Sequence, residues 1–157
     1  MLGRVARLWT FDPIEGVLVL IVLALCLDVL LAVVLRYVFR TSLGFYDELA
    51  RYLFIWMSFL GAAAGVKRHG HFGITLVLAR LPGRVQRAVN VLNTLGMLLF
   101  AGLLVSKGWT MVRLTSRQLS AAMEIPISYV YAVVPMSGAL MILYLLPHLI
   151  RQLRGRT

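Results

Sequence analysis

A chain of 157 residues that is 61% hydrophobic, with a mean hydropathy of +0.87, exceeds the roughly 45 to 50% apolar content of soluble domains. Its 16 Lys and Arg and 6 Asp and Glu sit between long apolar runs, which excludes an ordinary water-soluble fold. The net charge of +10 flanks those runs, where anionic lipids attract it, and nucleic acid is not expected as a partner.

The chain reads as one all-α membrane domain, residues 1–157, with four transmembrane helices over about 14–38, 48–66, 85–106 and 127–149. Leu2, Val5, Leu8 and Trp9 alternate with Arg4 and Arg7 at helical spacing, the pattern of an amphipathic segment lying in the headgroup layer. Asp12, Pro13 and Glu15 then write a helix start: a capping carboxylate, a proline at the first helical position and an acid facing the orphan amides. The apolar run 17–35 is 19 residues long, beyond the 7 to 15 of a signal-peptide core, so it is expected to remain as an anchor. Cys26, the single cysteine, lies in this run and leaves no internal disulfide.

Asp28 interrupts the same run near its middle, where a carboxylate costs about 2.5 to 3.5 kcal/mol unless protonated, paired or wetted. It reads either as a proton or cation relay or as a carboxyl hydrogen-bonded across a helix interface. No Lys, Arg or His of this chain is expected at its depth, so an ionised Asp28 points to a partner on another protein.

The first connection, 36–47, carries Arg36, Tyr37, Phe39, Arg40, Phe45 and Tyr46, an aromatic and basic belt. The uncharged run 52–66 is only 15 residues, so the second helix is expected to begin near Glu48, hold Arg51 at the interface, and be short or tilted. Glu48 and Arg51 are three apart and share a helix face, with Tyr52 beside them. They read either as a surface ion pair worth under about 1 kcal/mol or, with Arg36 and Arg40, as a device that fixes helix and partner docking. Gly61 and Gly65 frame a GxxxG pattern filled with alanines, a smooth face for close packing within the chain or against another protein.

The second connection, 67–84, is basic and lacks an acid, and its apolar stretch 74–78 is expected in the interface. The third helix follows the Pro82–Gly83 break, and the third connection, 107–126, is polar and long enough to be a surface for another molecule. In the fourth helix Pro135, with Ser137 and Gly138, predicts a mid-span kink. Ten Lys and Arg fall on the side of both termini and six on the other, so both termini are expected in the cytoplasm. Histidines 69, 71 and 148 are not placed to hold a haem, and the chain has no phosphate loop, catalytic carboxylate pair or zinc cluster. No enzyme activity, cofactor or metal is expected.

Taken in order, Arg36-Tyr37-Val38-Phe39, the stretch from Asp47 through Glu48, Arg51 and Tyr52 to Trp56, then Gly61-Ala62-Ala63, Gly70-His71, and finally Glu124-Ile125-Pro126 with Tyr131, Pro135, Gly138 and Met141 resemble the small, DctQ-like membrane subunit of tripartite ATP-independent periplasmic (TRAP) transporters. The resemblance covers essentially the whole chain. One departure is Thr75, where members often carry an acid four residues after the histidine.

The resemblance implies a non-catalytic permease subunit in the bacterial inner membrane. It would scaffold a large elevator-type subunit that carries the substrate and sodium sites, with a periplasmic binding protein delivering an organic anion, a carboxylate. Asp28, Arg36, Tyr37, Glu48, Arg51, Trp56, Gly61, Gly65 and His71 become candidate interface or structural residues, and Glu124 a candidate contact for the binding protein. The close Arg154–Gly155–Arg156–Thr157 is expected to leave the chain unfused to the large subunit. Two rivals remain: a self-sufficient four-helix proton-coupled multidrug exporter using Asp28, and a membrane anchor of an electron-transfer enzyme, which requires haem.

Overall fold

The computed structural model describes residues 13–41, 44–68 and 83–153. The two segments expected in the interface, Asp12, His69, Gly70, His71, Thr75 and the last four residues lie outside them. Five helices follow in chain order: α1 (Pro13–Tyr37), α2 (Gly44–Arg68), α3 (Gly83–Thr115), α4 (Ser128–Tyr131) and α5 (Val133–Leu153). The described residues form no strand, only an isolated bridge between Leu119 and Pro126. Four helical stretches, with α4 and α5 counted together, are long and apolar enough to cross a membrane.

α1 keeps the expected limits to within a residue, with Glu15 in its first turn. α2 departs from expectation: it starts at Gly44 and runs 25 residues, about 37 Å at 1.5 Å each, so it is not short. Phe45 and Tyr46 therefore sit in its first turn, edge to face at 5.5 Å, and not in the connection. α3 continues past Ser106 to Thr115, 33 residues in all. A helix ends where its backbone bonds end, and Lys107 and Arg113 are good helix formers that lie exposed, so the first charge after the apolar run does not stop it. The third connection shrinks accordingly to residues 116–127.

The break in the fourth span falls at Ala132, with Pro135 in the first turn of α5. Proline lacks the N–H that would reach the carbonyl four residues back, that of Tyr131, the last residue of α4. Ala132 itself keeps helical dihedrals (φ −59°, ψ −26°), so the axis is interrupted without a reversal of direction. A second proline, Pro147, sits inside α5 and was not singled out by the sequence pattern.

The helices pack in a row: α1 on α2, α2 on α5, α5 on α3. Ile21, Leu60 and Val133 join the first three, and Ala63, Ala101, Met141 and Leu145 join the last three. The seam between α3 and α5 is the tightest. A Cβ on Gly138 would stand 2.8 Å from the Ala101 carbonyl oxygen, and one on Gly108 would stand 2.8 Å from Pro135 Cδ. Thr94, buried on α3, donates to Gln152 Oε1 at 3.2 Å, and Gln152 in turn meets His148 Nε2 at 2.8 Å. Only 11% of the apolar stretch of each of α1, α2 and α3 is buried within the chain, against 28% of the fourth span.

Candidate functional site

Three features gather at the end of the row where α1 turns into α2. The first is the turn itself. Thr41 N–H closes onto the Leu35 carbonyl at 3.1 Å, and Arg40 between them takes a φ of 52°, in the left-handed region. Arg36 leaves the last turn of α1 and reaches Asp47 in the first turn of α2, with Nη2 3.4 Å from Oδ1 and 3.2 Å from Oδ2. Both side chains are more than half exposed, which limits the pair to about 1 kcal/mol or less.

The second is a carboxylate cradle. Glu48 does not close on Arg51. Its Oε1 accepts from Tyr52 Oη at 2.5 Å and from the Ala121 amide at 3.2 Å, and its Oε2 accepts from the amides of Ala122 at 2.8 Å and Met123 at 3.0 Å. Three successive N–H groups of the loop between α3 and α4 thus converge on one anion, the arrangement by which turns bind anions. The loop is held from within as well: Ser120 N–H bonds the Ile125 carbonyl at 2.9 Å and Ile127 N–H the Gln118 carbonyl at 2.9 Å. Thr115 and Ser116 hydroxyls cap the end of α3 on the carbonyls of Met111 and Arg113, each at 2.8 Å. Glu124 sits exposed in this framework with a φ of 55°.

The third is a pair of depressions flanking α2. An apolar groove of about 240 Å³ is lined by Ile21, Leu49, Tyr52, Trp56, Met123 and Tyr129 among others, and so joins α1, α2 and the loop. On the other, between α1 and α2, a cleft of about 250 Å³ runs from Arg36 and Asp47 down to Asp28.

Of the residues expected to matter, Arg36 and Glu48 stand at this end, while Trp56, eight residues beyond Glu48 on α2, lines the apolar groove. Tyr37 is 77% exposed and Arg51 is exposed. Asp28 is buried. Gly61 and Gly65 face open space, with no atom within 4 Å of a Cβ added to either, while Ala63 and Ala64 between them are buried against the row. The GxxxG face is therefore not used within the described chain; the close helix approach is made by Gly108 and Gly138 instead. His71 lies outside the described residues. Asp47 was missed as the partner of Arg36, eleven residues before it, and the amides of 121–123 were missed because a loop 73 to 75 residues downstream of Glu48 carries no local signal of what it will touch.

Residues 15–155 match the profile of the tripartite ATP-independent periplasmic transporters, DctQ component. The chain belongs to that family. A Haemophilus influenzae protein provisionally named TRAP transporter small permease protein is 30% identical over 122 residues, covering 78% of this chain and 76% of its own length. The DctQ small permease of a Pseudomonas aeruginosa C4-dicarboxylate TRAP transporter is 41% identical over 68 residues, 43% of this chain and 32% of that one. The isethionate TRAP transporter permease protein DctMQ of Oleidesulfovibrio alaskensis is 30% identical over 110 residues, which make up 69% of this chain but 17% of that protein. DctQ proteins are transporter subunits and not enzymes, and this chain is a TRAP small permease subunit of the inner membrane. The exporter reading of Asp28 finds no favour in these relatives.

Proposed function

We propose that this chain is the static partner in sodium-coupled uptake of an organic anion, a carboxylate, and that it broadens and stiffens the frame of a large elevator-type membrane subunit. The observation that carries the reading is the open row. Among the described residues, four spans in single file, each mostly uncovered, enclose no path for a solute and offer two broad apolar faces. A sodium site needs several converging oxygens, whereas the spans offer Asp28 as a lone deep acid. The names of the relatives, one for C4-dicarboxylate and one for isethionate, share the chemistry of a small organic anion.

In this reading both termini are cytoplasmic, and the end bearing the α1–α2 turn and the cradled loop faces the periplasm. There Glu124 and its neighbours meet the substrate-binding protein; nearer the opposite end of α2, the open face of Gly61, Ala62 and Gly65 receives a helix of the large subunit. Anionic lipids lie against the basic flanks. The test is co-purification: a tagged form of this chain should carry a large hydrophobic subunit through detergent extraction, and Glu124→Lys should weaken capture of the binding protein without releasing that subunit. A chain that purifies alone from membranes containing its neighbours contradicts the reading.

A further inference from the structure

We propose that the cleft between α1 and α2 seats one cationic side chain, Lys or Arg, from a membrane helix of the large subunit, with Asp28 as its counter-ion; this rests on the subunit reading above. Asp28 is only 5% exposed, and its Oδ2 has no hydrogen-bond partner among the described residues. The cleft it lines holds about 250 Å³, room for one long side chain, and the small residues Ala32 and Ala50 in its walls let a neighbouring helix come close. Of its charged groups, Arg36 and Asp47 pair with each other at the mouth, 3.2 Å apart, which leaves the Asp28 carboxyl without a cation in the lining. From 13 to 35 on α1 and from 52 to 66 on α2 the sequence has no Lys, Arg or His, so neither helix packed here supplies the missing cation.

Depth selects the source. Asp28 lies eight residues before Arg36 on α1, about 12 Å further along the axis, below the level at which a lipid ammonium rests. A long side chain on an adjacent helix reaches such a site along the cleft, its stem against Val29, Ala32 and Val33 and its charge on the carboxylate. A second copy of this chain would bring another acid of the same sign and no cation to the same level.

The experiment uses the complete transporter. A photoreactive benzophenone side chain replaces Ala32, the complex is irradiated in membranes, and the cross-linked peptide is read by mass spectrometry. The expected product is a large-subunit helix containing a Lys or Arg. Asp28→Lys should then abolish uptake, and reversing the identified cation to an acid in the same complex should restore it. Asp28→Asn, which keeps the shape, should lower retention of the large subunit through detergent washing at least about tenfold, as removing one member of a buried charge pair does. An unchanged or raised melting temperature of isolated Asp28→Leu would separate this effect from misfolding. Cross-links only to lipid, to a second copy, or to a large-subunit segment without a cation overturn the proposal, as does failure of the double reversal. If the unaltered chain does not retain the large subunit at all, the subunit reading falls with it; if it does and the cross-links miss that subunit, the cleft proposal alone falls.

Discussion

Glu48 ties α2 to the loop between α3 and α4 by accepting from a phenol and three backbone amides, so its geometry depends on a group whose two oxygens both accept. Glu48→Gln replaces one acceptor with an NH₂ that faces the same amide donors. The expected outcome is faster hydrogen exchange at Ala121, Ala122 and Met123 than in the unaltered chain, with the amides of α3 unaffected; equal protection at the three positions would show that the loop holds itself. Arg36→Ala should cost no more than about 1 kcal/mol in a detergent melt, and that loss should vanish at high salt, because its partner Asp47 is exposed. The sequence marked Glu48 and Arg36 through their place beside an apolar run. It left Glu48 either paired with Arg51 or docking helices and did not name the loop, because i to i+3 spacing states which side chains are near on a helix and says nothing of a loop folded back from 73 residues away.

At the level of the helices, apolar run length located every span, and the turn chemistry of Pro13 and Glu15 placed the start of α1. Two features were not legible. Charged residues continue α2 and α3 beyond their apolar parts, since helical hydrogen bonding does not stop at the lipid boundary. Which glycines make close contacts also depends on the neighbour, and it is Gly108 and Gly138, not Gly61 and Gly65, that have one. Gly138→Ala forces a Cβ to within 2.8 Å of the fixed Ala101 carbonyl and should lower stability by about 1 to 3 kcal/mol in a detergent melt. Gly61→Ala meets open space and gains helix propensity, so the isolated chain should melt at the same temperature or higher, by up to about 1 kcal/mol of stability. If the exposed glycine face receives the large subunit, Gly61→Leu should nevertheless weaken co-purification, a split that a purely internal role for the motif does not produce.

Across the whole molecule, the row of α1, α2, α5 and α3 explains why so apolar a chain buries so little of itself. Lipid supplies no hydrophobic force between helices, so a thin wall is stable where a compact core is not required. Small side chains at Ala63, Ala101 and Gly138 let its helices come into close contact. The described spans have faces and no interior path, which fits a chain that shapes the surroundings of a moving subunit and does not itself move solute. Sequence composition established the membrane and the number of spans; it did not reveal the row, because four apolar helices have the same composition whether they close into a bundle or stand in file. The central claim is tested by reconstitution into liposomes carrying a sodium gradient. The account predicts no flux of carboxylate or of cationic drugs with this chain alone, and sodium-dependent uptake once the large subunit and the binding protein are added. Proton-driven efflux by the chain alone, lost in Asp28→Asn, would contradict it.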